Sequence, residues 1–142
     1  MTDLAIANWM TTDVVTVHLD TTLPEAHELM TKHKIRRLPV VNDARELVGM
    51  VTLGDLREAR PSSATSLNVW ELNYLLAKLR ISDFMSRTLI TIAPETSVVE
   101  AARLMLAHKI SGLPVVDAHG TLCGIITETD LFRVMVEKLG AK

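Results

Sequence analysis

His33-Lys34-Ile35-Arg36-Arg37-Leu38-Pro39-Val40-Val41 and His108-Lys109-Ile110-Ser111-Gly112-Leu113-Pro114-Val115-Val116 are one nine-residue stretch written twice with two substitutions. The copies stand 75 residues apart, and at that offset Met10–Glu58 aligns with Met85–Arg133 without a gap. Identical pairs include Met10/Met85, Thr16/Thr91, Glu25/Glu100, Leu29/Leu104, Gly49/Gly124, Thr52/Thr127 and Asp55/Asp130. Gapless identity of this kind marks an internal repeat, which has to be recognised before any fold is assigned. Two copies are too few for a solenoid, so the expectation is a pair packed about a pseudo-two-fold axis.

Each copy reads as strand, helix, strand, strand, helix. Val14–Val17 and Leu89–Ile92 are β-branched runs and predict strands. Thr22 and Ser97 stand where a helix cap belongs, Pro24 suits a first helical turn, and Ala26, Leu29 and Met30 form an apolar stripe. Leu38–Val41 and Leu47–Thr52 predict a hairpin around Asn42-Asp43-Ala44-Arg45, and in the second copy Gly120 falls where a positive φ is expected. The last helices carry Leu56 in one copy and Leu131, Val134 and Met135 in the other. Residues 8–60 and 82–137 are thus two repeats, and residues 61–81 are a connector. There Pro61–Ser66 reads as a loop and Asn68 with Glu71 as a capping box. The helix it opens, Val69–Leu79, is apolar over more than one face and is expected to pack on its own domain or to bury a subunit contact.

Composition narrows the function. The chain has 142 residues, 48% of them hydrophobic and 23% charged, enough for one folded domain and far from a disordered tract. Fifteen basic against seventeen acidic side chains give a net charge of −2, which offers no field for nucleic acid or an anionic membrane. Aromatics at 4% are too few to line a base-stacking groove. The single cysteine, Cys123, forms no internal disulfide, and with no signal peptide or ~20-residue apolar span the expectation is a cytoplasmic protein. His27 and His33 are six apart, off the i, i+4 spacing that puts two ligands on one helical face, so no metal site is expected. No Gly-x-Ser-x-Gly elbow, Walker loop or His-Glu-x-x-His motif is present, so no enzyme is expected either.

The chemistry-bearing pattern is Gly-x-x-Thr-x-x-Asp, standing as Gly49…Thr52…Asp55 and as Gly124…Thr127…Asp130. Each pair sits where a strand meets a helix N-terminus. Threonine and aspartate there cap the helix and complement its dipole, worth about 1 kcal/mol. The same geometry also suits a ligand: helix-start amides favour phosphate, the hydroxyl donates, and the carboxylate accepts from a diol.

The doubled Leu-Pro-Val-Val and Gly-x-x-Thr-x-x-Asp motifs resemble those of tandem CBS-domain proteins, the Bateman module, of the stand-alone prokaryotic type. The resemblance covers both repeats. It implies an α+β fold with two three-stranded sheets, and clefts between the repeats that bind AMP, ADP, ATP or S-adenosylmethionine as a regulatory ligand, with no cofactor required. It also implies Thr52, Asp55, Thr127 and Asp130 as ribose and phosphate contacts, the aspartates taking the ribose hydroxyls. Arg36 and Arg37 match a segment that reaches phosphates in the AMP-activated kinase regulatory subunit; Ser111 and Gly112 replace them in the second copy, so the clefts should differ. Pro39, Pro114 and the first strands would line the adenine, Thr16 and Val17 completing the Thr127/Asp130 cleft and Thr91 and Ile92 the Thr52/Asp55 cleft. The implied protein is a non-enzymatic sensor, a homodimer, with a regulated protein partner, and with no nucleic acid or membrane. The competing reading is an assembly module whose clefts bind nothing of consequence.

Overall fold

The computed structural model describes residues 4–59 and 68–140. The chain divides into two compact units, residues 15–89 and residues 1–14 with 90–142. The division does not follow the repeats. Each unit takes the body of one repeat and the opening segment of the other.

In the unit of residues 15–89, the order is β1 (Val17–His18), α1 (Leu23–His33), β2 (Arg37–Val41), β3 (Leu47–Thr52), α2 (Leu53–Ala59) and α3 (Val69–Lys78). The β2–β3 hairpin is antiparallel, from Arg37 opposite Thr52 to Val41 opposite Leu47, and β1 adds to β2 in parallel with Val17 opposite Val40. Helix α1 opens on a capping box: the Thr22 hydroxyl accepts from the Glu25 amide and the Glu25 carboxylate accepts from the Thr22 amide. It ends at Lys34, whose φ of 56° lies in the left-handed region usual for a helix C-terminus. Leu23, Ala26 and Met30 bury its inner face against Leu38, Val40, Val51 and Leu56. The end of the connector and the opening of the second repeat close this core, with Ile81 and Met85 buried in it and Ser86 paired with Met50.

Helix α3 resolves the question its apolar sequence poses. Leu72, Leu76 and Leu79 pack on this core, while Trp70 and Tyr74 stand 82% and 61% exposed. Asn68 caps it by accepting from the Glu71 amide, but its side-chain amide donates to the Glu71 carboxylate, so the reciprocal capping box does not form. The expected loop at 61–66 lies outside the described residues.

In the other unit the order is α4 (Val98–His108), β4 (Gly112–Val116), β5 (Leu122–Thr127) and α5 (Glu128–Leu139). Ser97 caps α4 and Lys109 ends it at φ 56°. The β4–β5 hairpin repeats the first one residue for residue, Gly112 opposite Thr127 and Val116 opposite Leu122. Ile6, just ahead of the first repeat, is fully buried here among Ile92, Val98, Met105, Leu113, Val115 and Ile126. Thr11 pairs with Ile125, as Ser86 pairs with Met50 in the first unit.

Two expectations are corrected. The strand expected over Val14–Val17 is only Val17–His18, and that over Leu89–Ile92 is a single parallel bridge of Ile92 to Val115, so this sheet has two strands and not three. β-Branched residues favour a strand only where a partner edge is in reach, and the flanking residues have none.

Candidate functional site

Both hairpins bring the Thr-Asp pattern to one end. In the first unit, β3 ends at Thr52 and α2 begins at Leu53. The Asp55 carboxylate accepts from the Thr52 amide at 2.8 Å, and the Thr52 hydroxyl accepts from the Asp55 amide at 3.1 Å. Arg37 faces Thr52 across the hairpin, and the Arg36 carbonyl accepts from the Leu53 amide at 2.8 Å. Four of the residues singled out in the sequence (Arg36, Arg37, Thr52 and Asp55) are thereby gathered at one helix start. Arg36 is exposed and Arg37 half-buried. One Asp55 oxygen is used by the cap; among the described residues nothing donates to the other.

The second unit builds the same corner with different chemistry. The Asp130 carboxylate accepts from the Thr127 amide at 2.9 Å and from the Thr127 hydroxyl at 3.2 Å, both on Oδ2. The Ser111 carbonyl accepts from the Glu128 amide, as Arg36 does for Leu53, and Gly112 takes the place of Arg37 opposite Thr127. The cationic pair of the first corner is absent. Asp130, unlike half-buried Asp55, is 3% exposed, and its Oδ1 is ion-paired with the Arg133 guanidinium. The same Nη2 donates to the Trp9 carbonyl at 3.3 Å. Capping is therefore observed at both corners.

Arg133 was not among the sequence candidates. At i+3 from Asp130 it reads as an ordinary helix pair. The signal that distinguishes it is the repeat offset, which puts Glu58 at the matching place.

The other candidates occupy the sheets. Val17, Ile92, Pro39 and Pro114 are buried in the cores, so their side chains are engaged in packing. Thr16 and Ser111 are half-buried and Thr91 is exposed. Among the described residues no group of three His, Cys, Asp or Glu side chains forms a metal-ion cage, and no helix is long and apolar enough to cross a membrane. Burial pushes the Cys123 thiol above its usual range.

Comparison with known proteins adds a family. The family model described as CBS domain matches residues 5–62 and 81–137. A CBS domain-containing protein of Dictyostelium discoideum is 36% identical over 130 residues, which is 92% of this chain and 90% of that one. Longer enzymes match as well, but the chain spans only 22% of an inosine-5'-monophosphate dehydrogenase of Korarchaeum cryptofilum at 37% identity. Among solved structures, Arabidopsis thaliana CBSX2 in complex with AMP is similar at a TM-score of 0.79 and 31% identity, over 95% of this chain and 98% of that one. The CBS domain pair of protein MJ0100, in complex with 5'-methylthioadenosine and S-adenosyl-L-methionine, is similar at 0.76 and 28%, over 94% and 97%.

Proposed function

The chain belongs to the CBS-domain family as a tandem pair, and we propose that it is a non-enzymatic regulatory module that binds an adenosine-containing ligand. The observation that carries this reading is the first-unit corner. Asp55 keeps one carboxylate oxygen clear of the described residues, beside a capped helix start and the Arg36-Arg37 pair. A ribose diol suits the carboxylate, and phosphate suits the helix amides and the guanidinium groups. AMP, ADP, ATP and S-adenosylmethionine share the adenosyl part, and relatives of this chain have been solved with AMP and with S-adenosyl-L-methionine. Occupancy regulates a protein partner only if the ligand favours one of two conformations.

Calorimetric titration with AMP, ATP and S-adenosylmethionine tests the proposal. Asp55→Ala should lose about ten- to a hundredfold in affinity, the range of a hydrogen bond to a charged group. If every titration is silent with the folded protein, the assembly-module reading replaces this one.

Assembly as a homodimer belongs to the same proposal. On α5, Phe132, Met135, Val136 and Leu139 stand exposed at helical spacing beside exposed Val99 and Leu106 of α4. At the offset positions the first repeat carries Thr31 for Leu106 and Arg57 for Phe132, so the fold itself does not require an apolar surface there. A patch of this kind marks a contact with another molecule. Sedimentation at micromolar concentration should give a dimer, and a clean monomer overturns this part.

A further inference from the structure

The two Thr-Asp corners differ three residues along their helices, where the first repeat has Glu58 and the second Arg133. Asp130 is almost wholly buried, and both of its oxygens are engaged. Oδ2 takes the amide and hydroxyl of Thr127, and Oδ1 takes Arg133, which is itself fixed by the Trp9 carbonyl at 3.3 Å. A guanidinium on a carboxylate is a stronger partner than a neutral hydroxyl. A carboxylate oxygen can accept twice, but Asp130 is 3% exposed, so a ribose hydroxyl reaches Oδ1 only when the guanidinium moves aside. At Asp55 no described residue demands such a displacement, and Glu58, in the place of Arg133, is exposed and an acceptor only.

Resting on the adenosyl-binding reading above, we infer that Arg133 ranks the two sites. The Asp55 corner fills first, and the Asp130 corner fills only at higher ligand concentration, once the guanidinium has yielded. Arg133 and Glu58 are then specificity-determining residues. Together they spread the response of one small protein over two ranges of ligand concentration.

Adenosine is the probe, since it carries no phosphate to attract a guanidinium. Titrated into Asp55→Ala, which retains the Asp130 corner, it should bind about tenfold more weakly than into Asp130→Ala, which retains the Asp55 corner. Adding Arg133→Gln to Asp55→Ala should recover most of that difference. Adding Glu58→Arg to Asp130→Ala should weaken the first corner by a similar factor. The second change adds a side chain at an exposed position, so it decides the matter even if Arg133→Gln unfolds on losing its Trp9 contact. Equal affinities in the two single-site proteins, or weaker binding on Arg133→Gln, overturn the ranking and leave adenosyl binding standing. No binding by the parent protein to any adenosyl ligand overturns both.

Discussion

The carbonyl oxygen of Thr11 stands 2.7 Å from the point that a β-carbon on Gly124 would occupy, with the Met10 sulfur at 2.8 Å. The close approach has a reason: Thr11 and Ile125 exchange amide and carbonyl hydrogen bonds, both at 2.9 Å. Gly49 is crowded in the same manner, but its three nearest atoms all belong to the side chain of Met85.

The two glycines should therefore respond unequally to alanine. Gly124→Ala pushes on backbone and should cost about 1–3 kcal/mol, the range for overpacking. Gly49→Ala meets a flexible thioether that can turn aside, and should cost less. Denaturant unfolding of the two variants checks the order.

The hairpin turns offer a stabilising change. Arg45 has φ 62° and its counterpart Gly120 has φ 84°, with nothing within 4 Å of a β-carbon at Gly120. Backbone conformation alone decides there. Arg45→Gly should raise stability by about 0.5–1 kcal/mol and Gly120→Ala should lower it by about 1 kcal/mol. Paired thermal melts measure both.

Glu25 gives a pH signature. The Thr22 hydroxyl, at 2.7 Å, and then the Thr22 amide hold its carboxyl below the ordinary 4.5. A lowered carboxylate pKa adds stability above the unfolded value, and that stability is lost as pH falls through the folded value. Glu25→Gln keeps the capping geometry without the charge. It should lower stability by about 0.5 kcal/mol at pH 7, where solvent screens so exposed a group, and by less at about pH 3, below the unfolded value. Melting curves at the two pH values read the difference.

The basic corner predicts selectivity by charge. Arg36→Ser with Arg37→Gly copies the second repeat into the first and should weaken AMP far more than adenosine. The loss should be largest at low salt, because exposed charges are screened. Titrations at two ionic strengths decide it, and equal affinities for parent and variant would remove both arginines from the site.

Much of this was legible in the residues. The repeat, the hairpins and the caps at Thr22 and Ser97 rest on local pattern and local chemistry, and each appears at its expected place. What the pattern hides is partnership. Val14 to Thr16 look like strand, yet strand needs an edge to pair with, and only Val17 and His18 have one. Aligning the repeats as continuous blocks also suggests that each folds as a block, whereas Met85 is buried against the first copy's body and Ile6, just ahead of the first copy, against the second's. Arg133 escaped for a related reason: its pairing with Asp130 matters through a burial that spacing does not reveal.

That exchange of opening segments bears on the order of events during synthesis. Residues 15–89 form a contiguous unit, complete once residue 89 has left the ribosome. The other unit draws on residues from either side of it, so Ile6 and Trp9 find their core only after residues 90–139 have been made. Domains fold as units while the chain emerges. A fragment of residues 15–89 should therefore fold alone and resist protease, whereas residues 8–60, a whole repeat by sequence, should not, lacking Ile81 and Met85. Of the two exchanged segments, the one translated earlier finds its place later.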